Sequence, residues 1–370
     1  MKFVCQSSNL LHEIELANNF SSSKNSLSIA SNVLLETAND KLTIKATDQR
    51  LGFTTSINAM TVIPGSTTVF CEKLTQLLKN IPDTEIEIDD SEGSLMIRPA
   101  DGSDSFQASI KTIEASKYPQ LQELEDSFYF SITQRDFFDM IDKTSFAVSS
   151  EDDTRHFLTG VYMEKKGDDL VLVATDGKRM AYVCRHFEQE IPDFPSAIIP
   201  VRFLNLVKTM GTGEGLLSLG VKEGYIFSRI GNRTVYSTLI GGNYPAYEKV
   251  IPRNLEHTCI VKKEDIEKAI SFISIFVESK SKRLFADLEE NKMKLSAENT
   301  EFGESQQIIN ASYSDESVRM SFNSQLLITP IKKIDSEYIS IRFLRPSSAM
   351  IFTAEPEKDY LYVLMPMQLS

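Results

Sequence analysis

The sequence predicts an α+β protein in which one structural module is written six times along 370 residues. Each module is a short strand, a polar turn, an amphipathic helix and several further strands. Two observations predict this fold class. Three strand–helix patterns recur at a spacing typical of a domain, and each is followed about halfway by a second copy. Runs of apolar residues with Gly, Asp and Asn turns fill the intervals, as expected for strands.

The first set of helices begins its apolar stripes at Leu10, Phe137 and Ile266, which are 127 and 129 residues apart. Apolar residues then follow at i+4 and i+7, the spacing that places them on one helical face. A short strand precedes each helix, at residues 3–5, 128–130 and 259–261. The long period predicts three similar domains.

The second set begins at Leu74, Leu204 and Leu327, which follow the first anchors by 64, 67 and 61 residues. Strand-like runs come after the helices, for example at 85–88, 170–173 and 338–341. Three near-equal periods, each divided at a near-constant point, argue against a chance recurrence of strand–helix pairs. Pro330 lies inside the sixth helical pattern, so we expect it to kink or shorten that helix.

Domain boundaries are predicted near residues 123–126 and 252–256, which gives domains at 1–124, 125–253 and 254–370. A Tyr-Pro pair precedes each boundary, Tyr118-Pro119 in one case and Tyr244-Pro245 in the other. Proline cannot donate to a sheet and restricts the residue before it. We therefore expect the chain to leave an edge strand at these pairs.

Composition narrows the class of protein. No apolar run reaches the roughly 18 residues of a membrane span, and the N-terminus turns polar before a signal-peptide core could form. We expect a soluble cytoplasmic protein with no membrane partner. The cysteines lack CxxC spacing and the histidines lack metal-ligand spacing, so we predict four reduced, half-buried thiols and no metal site. The cysteines are Cys5, Cys71, Cys184 and Cys259.

The net charge of −13 argues against tight binding to nucleic acid, because duplex binding normally neutralises phosphates with Lys and Arg. The charge is unevenly placed, however. The six predicted helical segments together carry +2 and the remaining residues −15. This distribution permits helices that face DNA without requiring them.

Two classes of function compete with a DNA-binding role: an enzyme and an interaction scaffold. Asp152-Asp153 near His156, or Asp176 beside Lys178, could form acid–base pairs, but no nucleophile, phosphate loop or metal spacing accompanies them. Residues 175–177, Thr-Asp-Gly, indicate a hairpin turn instead. We predict no catalytic residue and no cofactor. A β-rich interaction scaffold that does not act on DNA remains the alternative.

Several phrases of this sequence resemble one known family. They are Leu-Val-Ala-Thr-Asp-Gly-Lys-Arg-Met-Ala at 172–181, Arg-His-Phe-Leu-Thr-Gly-Val at 155–161, Asn-Tyr-Pro-Ala-Tyr at 243–247 and the ending Met-Pro-Met-Gln-Leu-Ser. Together they resemble the bacterial sliding clamp, the beta subunit of DNA polymerase III. The resemblance runs from the first residues to the last and agrees with the repeats found above.

The resemblance implies three tandem DNA-clamp domains, each of two strand–helix–strands repeats, that form half of a closed homodimeric ring. Such a ring encircles double-stranded DNA of any sequence and tethers the replicative DNA polymerase without catalysing a reaction. A separate clamp loader places it on DNA, and other proteins with clamp-binding motifs share its surface. Retention by enclosure is compatible with the acidic charge, since a ring that gripped phosphates could not slide.

The resemblance also places a peptide-binding cleft between the second and third domains. Leu and Met side chains would give an adaptable apolar floor, with Lys178 and Arg179 orienting polar groups at the rim. Val363 could equally be sheet core. Lys178, Met180 and Gln368 depart from the usual His, Leu and Arg, which should tune peptide preference. The cleft residues are Leu158, Thr175, Gly177, Lys178, Arg179, Met180, Pro245, Lys249, Val250, Ser348, Val363, Met365, Pro366 and Met367.

Contacts to DNA and to the second protomer carry over from the family too. The DNA-contact positions are Lys24, Arg155, His156, Phe157 and Arg202; solvated surface charge is the alternative for Lys24 and Arg202. The dimer-interface positions are Phe106, Ile275 and Phe276, aromatic and aliphatic anchors of the kind that dominate interfaces. Residues 98–107 contain two aspartates and no base after the first residue, so the family's interfacial ion pairs should be weaker or rearranged.

Overall fold

The computed structural model contains two compact units, each built around one open antiparallel sheet. It describes residues 1–21, 28–91, 93–299 and 301–369. The first unit is Met1–Arg135 with Arg202–Leu239, and the second is Asp136–Val201 with Ile240–Ser370. The middle third of the chain is therefore shared: it contributes strands to both sheets. The domain boundaries predicted from the sequence stay a prediction.

The sheet of the first unit has thirteen strands in the spatial order β10-β15-β16-β17-β4-β3-β2-β6-β9-β8-β7-β1-β5. The strands are β1 Lys2–Gln6, β2 Asn32–Ala38, β3 Lys41–Thr47, β4 Leu51–Asn58, β5 Met60–Ile63, β6 Gly65–Phe70, β7 Glu85–Ser91, β8 Ser94–Pro99, β9 Ala108–Ile113, β10 Phe130–Thr133, β15 Leu216–Lys222, β16 Tyr225–Ile230 and β17 Arg233–Thr238. The pairing of β17 with β4 joins the strands of the middle third to those of the first.

The sheet of the second unit has twelve strands in the order β14-β11-β12-β13-β25-β24-β23-β18-β21-β20-β19-β22. They are β11 Gly160–Lys166, β12 Asp169–Thr175, β13 Arg179–His186, β14 Ala197–Pro200, β18 His257–Lys262, β19 Arg283–Glu289, β20 Lys292–Asn299, β21 Gly303–Ser312, β22 Val318–Asn323, β23 Tyr338–Phe343, β24 Met350–Glu355 and β25 Tyr360–Leu364. Here the pairing of β25 with β13 joins the last third to the middle third.

All six predicted helices are present within the described residues. They are α1 Ser7–Asn18, α2 Cys71–Leu78, α3 Gln134–Thr144, α4 Val201–Met210, α5 Lys263–Ile273 and α6 Ser324–Lys333. α1 packs against α2 and against β3 and β4, while α5 packs against α6 and against β20 and β21. The predicted stripes are the buried faces: Leu10 and Ile14 in α1 and Ile266 and Ile270 in α5 are almost fully buried. One strand begins later than predicted, because Phe128 lies in a 3-10 turn before β10.

Pro330 does not shorten the sixth helix as expected, since α6 continues to Lys333; the expected kink stays a prediction. Proline lacks the N–H that would bond the carbonyl four residues earlier. That carbonyl belongs to Leu326, and the hydroxyl of Tyr362 on β25 donates to it at 2.8 Å. At the other end of α6, the side chain of Asn323 caps the helix by accepting from the backbone N–H of Gln325 at 3.0 Å. A tertiary hydrogen bond therefore replaces the missing helical one.

Two smaller expectations also change. The Tyr-Pro pairs do not leave edge strands: β9 lies between β6 and β8, and β17 lies between β16 and β4. The cysteines are free, but Cys5, Cys71 and Cys259 are buried, and only Cys184 is half-buried. Burial raises the pKa of Cys5 to about 12, so this thiol is unreactive at neutral pH.

Ion pairs secure both strands that join one third of the chain to the next. In the first unit Arg233, which begins β17, bonds the buried Glu13 of α1 at 2.5 Å and the last carbonyl of α4 at 3.1 Å. In the second unit Arg185 of β13 bonds Asp359, which immediately precedes β25, and Asp139 of α3 at 2.7 Å. Removing one partner of such a pair leaves a partly buried charge without compensation.

No helix among the described residues has the length and apolarity needed to cross a membrane.

The Tyr362 hydrogen bond can be tested with a double-mutant cycle. Tyr362→Phe should lower the free energy of unfolding by about 1 to 2 kcal/mol, because it leaves the partly buried Leu326 carbonyl unpaired. In a Pro330→Ala background the helix supplies its own N–H, so the same substitution should cost clearly less. Urea unfolding of the four proteins measures both values. Equal losses in the two backgrounds would contradict the proposed replacement.

Candidate functional site

The hairpin that joins β12 to β13 is fixed by four hydrogen bonds between its side chains and its own backbone. The Asp176 carboxylate accepts from the backbone N–H groups of Lys178 at 2.9 Å and Arg179 at 3.1 Å. The Thr175 hydroxyl donates to the carbonyl of Arg179 at 2.5 Å and accepts from the N–H of Gly177 at 3.1 Å. Gly177 has φ +87°, which favours glycine. The predicted hairpin is thus confirmed, and it presents Gly177 and Lys178 to solvent.

Arg179 is held by its own neighbours rather than standing free at a rim. Its guanidinium bonds Asp176 at 3.1 Å and the carbonyl of Phe146 at 2.7 Å, and it lies 5.5 Å from the centre of the Phe146 ring. Lys178 is exposed, so it is the hairpin's available cation. Arg179 therefore contributes chiefly by fixing the hairpin against the segment that follows α3.

Arg155, predicted from the family as a DNA contact, braces the same hairpin. Its guanidinium bonds the Asp153 carboxylate at 2.8 Å and the carbonyl of Asp176 at 3.1 Å. Hydrogen bonds from Arg155 and Ser149 hold the pKa of Asp153 well below its usual range. A methyl group at Gly177 would lie 2.9 Å from the guanidinium, so a side chain there would disturb this contact.

Four tyrosines form a cluster next to the hairpin: Tyr162, Tyr182, Tyr244 and Tyr247. Tyr162 and Tyr244 stack with ring centres 4.7 Å apart, and the Tyr247 hydroxyl donates to Glu164 at 2.5 Å. Burial, the larger effect, and the neighbouring carboxylate both raise the pKa of Tyr247, so its hydroxyl stays protonated. Sequence reasoning missed these tyrosines as site residues, although the Asn-Tyr-Pro-Ala-Tyr phrase contains two of them.

Met180 and Val363 form the apolar layer beneath the tyrosines. They face each other directly across the β13–β25 pairing and belong to one cluster with Tyr247 and Ile351. Met180 is 1% exposed and Val363 2% exposed. The core interpretation of Val363 therefore describes its present packing, and the two side chains would be floor rather than wall in a cleft.

The chain beyond β25 is held across the hairpin and is partly open to solvent. The N–H of Met365 donates to the carbonyl of Lys178 at 3.0 Å, and the N–H of Met367 donates to the carbonyl of Ser321 at 2.7 Å. Met365 is 47% exposed, whereas Pro366 and Met367 are half-buried. Met365 therefore lies beside Lys178 with an exposed side chain.

The other predicted cleft residues belong to the same unit. Pro245, Lys249 and Val250 are exposed on the segment that carries Tyr244 and Tyr247, and Leu158 is buried at the end of a 3-10 turn. Ser348 is half-buried and its hydroxyl donates to the carbonyl of Arg345 at 2.9 Å. Strand pairing and the aromatic cluster thus bring together the hairpin, the segment after β25 and the 244–247 segment.

The remaining DNA-contact predictions have mixed surroundings. Lys24 lies outside the described residues. The Arg202 guanidinium bonds Asp48 at 2.7 Å and the carbonyl of Asn19 at 2.7 Å, so its charge is already compensated. His156 is exposed, and Phe157 packs beside the backbone of Gly242. With the observed bounds, the formal charges of the six helices cancel, which is less basic than the predicted segments.

The predicted dimer-interface positions are exposed to different degrees. Ile275 is 72% exposed and borders a depression of about 500 Å³ that Val277 and Ile328 also line. Phe276 and, in the first unit, Phe106 are half-buried. Sequence reasoning missed Phe302, which is 74% exposed at the start of β21. Its position directly after the polar sequence Glu-Asn-Thr-Glu at 298–301 was a signal, because large apolar residues rarely occupy exposed turns.

Among the described residues, no group of three or more His, Cys, Asp or Glu side chains is placed to hold a metal ion.

Comparisons with known proteins agree along the whole chain. Three family models match it: the N-terminal domain of the DNA polymerase III beta subunit at residues 1–122, the central domain at 131–246 and the C-terminal domain at 248–368. A beta sliding clamp from Treponema pallidum is 34% identical over 372 residues, with both chains fully covered.

Solved structures of bacterial sliding clamps share the fold of this chain. The DNA polymerase III subunit beta of Pseudomonas aeruginosa superimposes with a TM-score of 0.93 at 26% identity, with full coverage of both chains. The DNA polymerase sliding clamp of Bacillus subtilis has the same fold, with a TM-score of 0.93 at 20% identity and full coverage. The resemblance inferred from sequence motifs is confirmed: this chain belongs to the DNA polymerase III beta subunit family, the bacterial sliding clamps.

Proposed function

We propose that this protein is a DNA sliding clamp. Two copies close into a ring around duplex DNA of any sequence, and the ring tethers the replicative polymerase as a non-catalytic processivity subunit. The observation that carries the proposal is the full-length match to the Treponema pallidum beta sliding clamp. The clamp loader and other proteins with clamp-binding motifs use the same cleft in the second unit.

The strand pairings explain why closure needs a second copy. Two hairpins, β3–β4 and β12–β13, receive a later strand of the same chain, β17 and β25. The third hairpin, β20–β21, receives none among the described residues: residues 303–310 pair with β20 alone. In the first unit, residues 108–111 of β9 pair only with β8. Each of these strands thus has unpaired backbone groups on one side over most of its length. Two such strand edges can pair head to tail between two copies.

Side chains near these edges suit an interface. Ile275, Phe302 and Ile308 expose large apolar surfaces on the second unit, and Phe106 lies just before β9 on the first. Aromatic and aliphatic anchors of this kind supply most of the binding energy when they are buried by a partner. Arg98 already bonds Glu87 at 2.8 Å within its own sheet, so it is a weaker candidate for an interfacial ion pair.

The charge distribution suits sliding. Because the six helices together have no net charge, few of their cationic side chains are left uncompensated to bind phosphates. Arg202, for example, is compensated by Asp48. Each phosphate contact steepens the loss of affinity with salt and adds a barrier to movement. A ring of this composition stays on DNA because it encloses the duplex, and it moves because its contacts are weak.

The cleft suits a short peptide with aliphatic and aromatic side chains. Met365 offers an exposed, adaptable side chain, and Lys178 offers a nearby cation. Beneath them lie Met180 and Val363, held in place by the fixed hairpin. The hydrogen-bonded hairpin backbone limits the entropy that binding costs, while the aliphatic side chains on it can adapt to a ligand.

The cleft proposal is tested by two truncations. A chain ending at Leu364 lacks Met365, Pro366 and Met367 and should bind a fluorescent Gln-Leu-x-Leu-Phe-type peptide about 10 to 100 times more weakly, because it loses the apolar contacts of two methionines. A chain ending at Met367 is the matched control and should bind as the full chain does. Anisotropy titration measures both. Undiminished binding by the shorter chain, with an unchanged melting temperature, would refute the assignment.

The dimer proposal is tested by placing a charge in the interface. Ile275→Asp should convert a particle of twice the 41.7 kDa chain mass into a monomer at micromolar concentration, because it buries an unpaired carboxylate. Met60→Asp, at an exposed apolar residue of β5, is the control and should leave the mass unchanged. Light scattering with size-exclusion chromatography gives the masses. A monomeric wild-type protein, or a dimeric Ile275→Asp variant, would count against this interface.

A further inference from the structure

The hairpin of the proposed cleft has a counterpart in the first unit with the same hydrogen bonds. In the β3–β4 hairpin, the Asp48 carboxylate accepts from the N–H groups of Arg50 at 3.0 Å and Leu51 at 2.8 Å. The Thr47 hydroxyl donates to the carbonyl of Leu51 at 2.7 Å and accepts from the N–H of Gln49 at 3.0 Å. Gln49 has φ +77°, close to the +87° of Gly177. The two turns are the same construction.

The strand that returns to each hairpin is attached in the same way. In the first unit the N–H of Thr238, just at the end of β17, donates to the carbonyl of Arg50 at 2.9 Å. The corresponding bond beyond β25 joins Met365 to Lys178. A linker tyrosine also repeats: the Tyr118 hydroxyl donates to the carbonyl of Lys45 at 3.3 Å, as Tyr244 does to the equivalent Val173 carbonyl at 3.4 Å.

The two junctions differ at the residue pair across the returning strand. Thr175 pairs with Met180, which pairs with Val363; at the equivalent positions Thr47 pairs with Gly52, which pairs with Tyr236. The Tyr236 ring lies directly on the glycine, because a methyl group at Gly52 would be only 2.0 Å from a ring carbon.

Tyr236 fills its place tightly. It is 5% exposed, and its ring packs against Phe227 and Tyr225 with centres 5.8 and 5.9 Å away. Burial raises the pKa of its hydroxyl, with hydrogen bonds to Thr47 and to the backbone of Gln122 acting in the opposite direction.

We propose that this residue pair determines which of the two equivalent junctions binds partner peptides. Tyr236 lying on Gly52 plugs the first junction, whereas Met180 and Val363 leave the second junction with an aliphatic, deformable floor. Each chain then has one peptide site, although its scaffold is built twice. The inference rests on the proposed function of the cleft.

The surroundings of the two sites agree with this assignment. In the first unit, Lys45 at the position of Val173 forms an ion pair with Glu36 at 2.8 Å and borders a depression of about 610 Å³. In the second unit, Val173 belongs to the apolar cluster of Met180 and Val363. An aliphatic peptide side chain gains by burial against the second lining and loses by displacing water from the first.

The test introduces the residue pair of the first junction into the second junction. The double variant Met180→Gly with Val363→Tyr copies the first junction into the second, so it should fold and bind the Gln-Leu-x-Leu-Phe-type peptide at least about tenfold more weakly, because a rigid ring excludes the ligand. Wild-type protein should bind one peptide per chain at saturation. Tyr236→Phe, which keeps the ring over Gly52, is the matched control and should also bind one. Calorimetric titration gives affinity and stoichiometry, and thermal unfolding shows whether each variant folds.

The outcomes separate the two proposals. Failure of wild-type protein to bind the peptide counts against the proposed cleft itself. Undiminished binding by the folded double variant, or two peptides per wild-type chain, refutes the claim that Tyr236 on Gly52 blocks the first junction. Neither result counts against the proposed cleft. If the double variant unfolds, Met180→Ala with Val363→Phe, which demands less rearrangement, decides in the same way. Unfolding of both variants also overturns the inference, because it requires the two scaffolds to accept the same pair.

Discussion

Antiparallel pairing between the second strand of a hairpin and a strand returning from much later in the chain is the contact on which this structure depends. β4 receives β17 and β13 receives β25, and each pairing extends one sheet from one third of the sequence to the next. Backbone hydrogen bonds set this pairing, while Arg233 with Glu13 and Arg185 with Asp359 fix its ends. Because backbone pairing tolerates sequence change, the same junction can carry different side chains.

Function follows from where these junctions lie. At the second junction the hairpin, the returning strand and the tyrosine-bearing linker meet, and this is the surface proposed to bind peptides. At the third hairpin the returning strand is missing within the described chain, which leaves an edge for a second copy. One repeated contact thus accounts for the sheets and underlies both proposals, the peptide cleft and closure into a ring that holds DNA by enclosure.

Periodicity predicted the six helices and several of the strands, because the stripes that begin at Leu10 and Ile266 directly report burial. The family resemblance supplied the candidate residues of the cleft. Long-range partners could not be read from the sequence: nothing local indicates that Tyr362 satisfies the carbonyl freed by Pro330, or that Arg155 braces Asp176. Charged residues were the least predictable, since their role depends on which carboxylate lies beside them.

Retention on DNA of defined topology tests the central claim most directly. Protein placed by its clamp loader on a nicked circular duplex should stay bound through a wash in about 0.5 M salt, where screening removes most phosphate contacts. Cutting the circle once should release it within minutes, because the ring slides off the new ends. Equal retention on circular and linear DNA, or loss from both at that salt concentration, would show binding by grip and contradict enclosure.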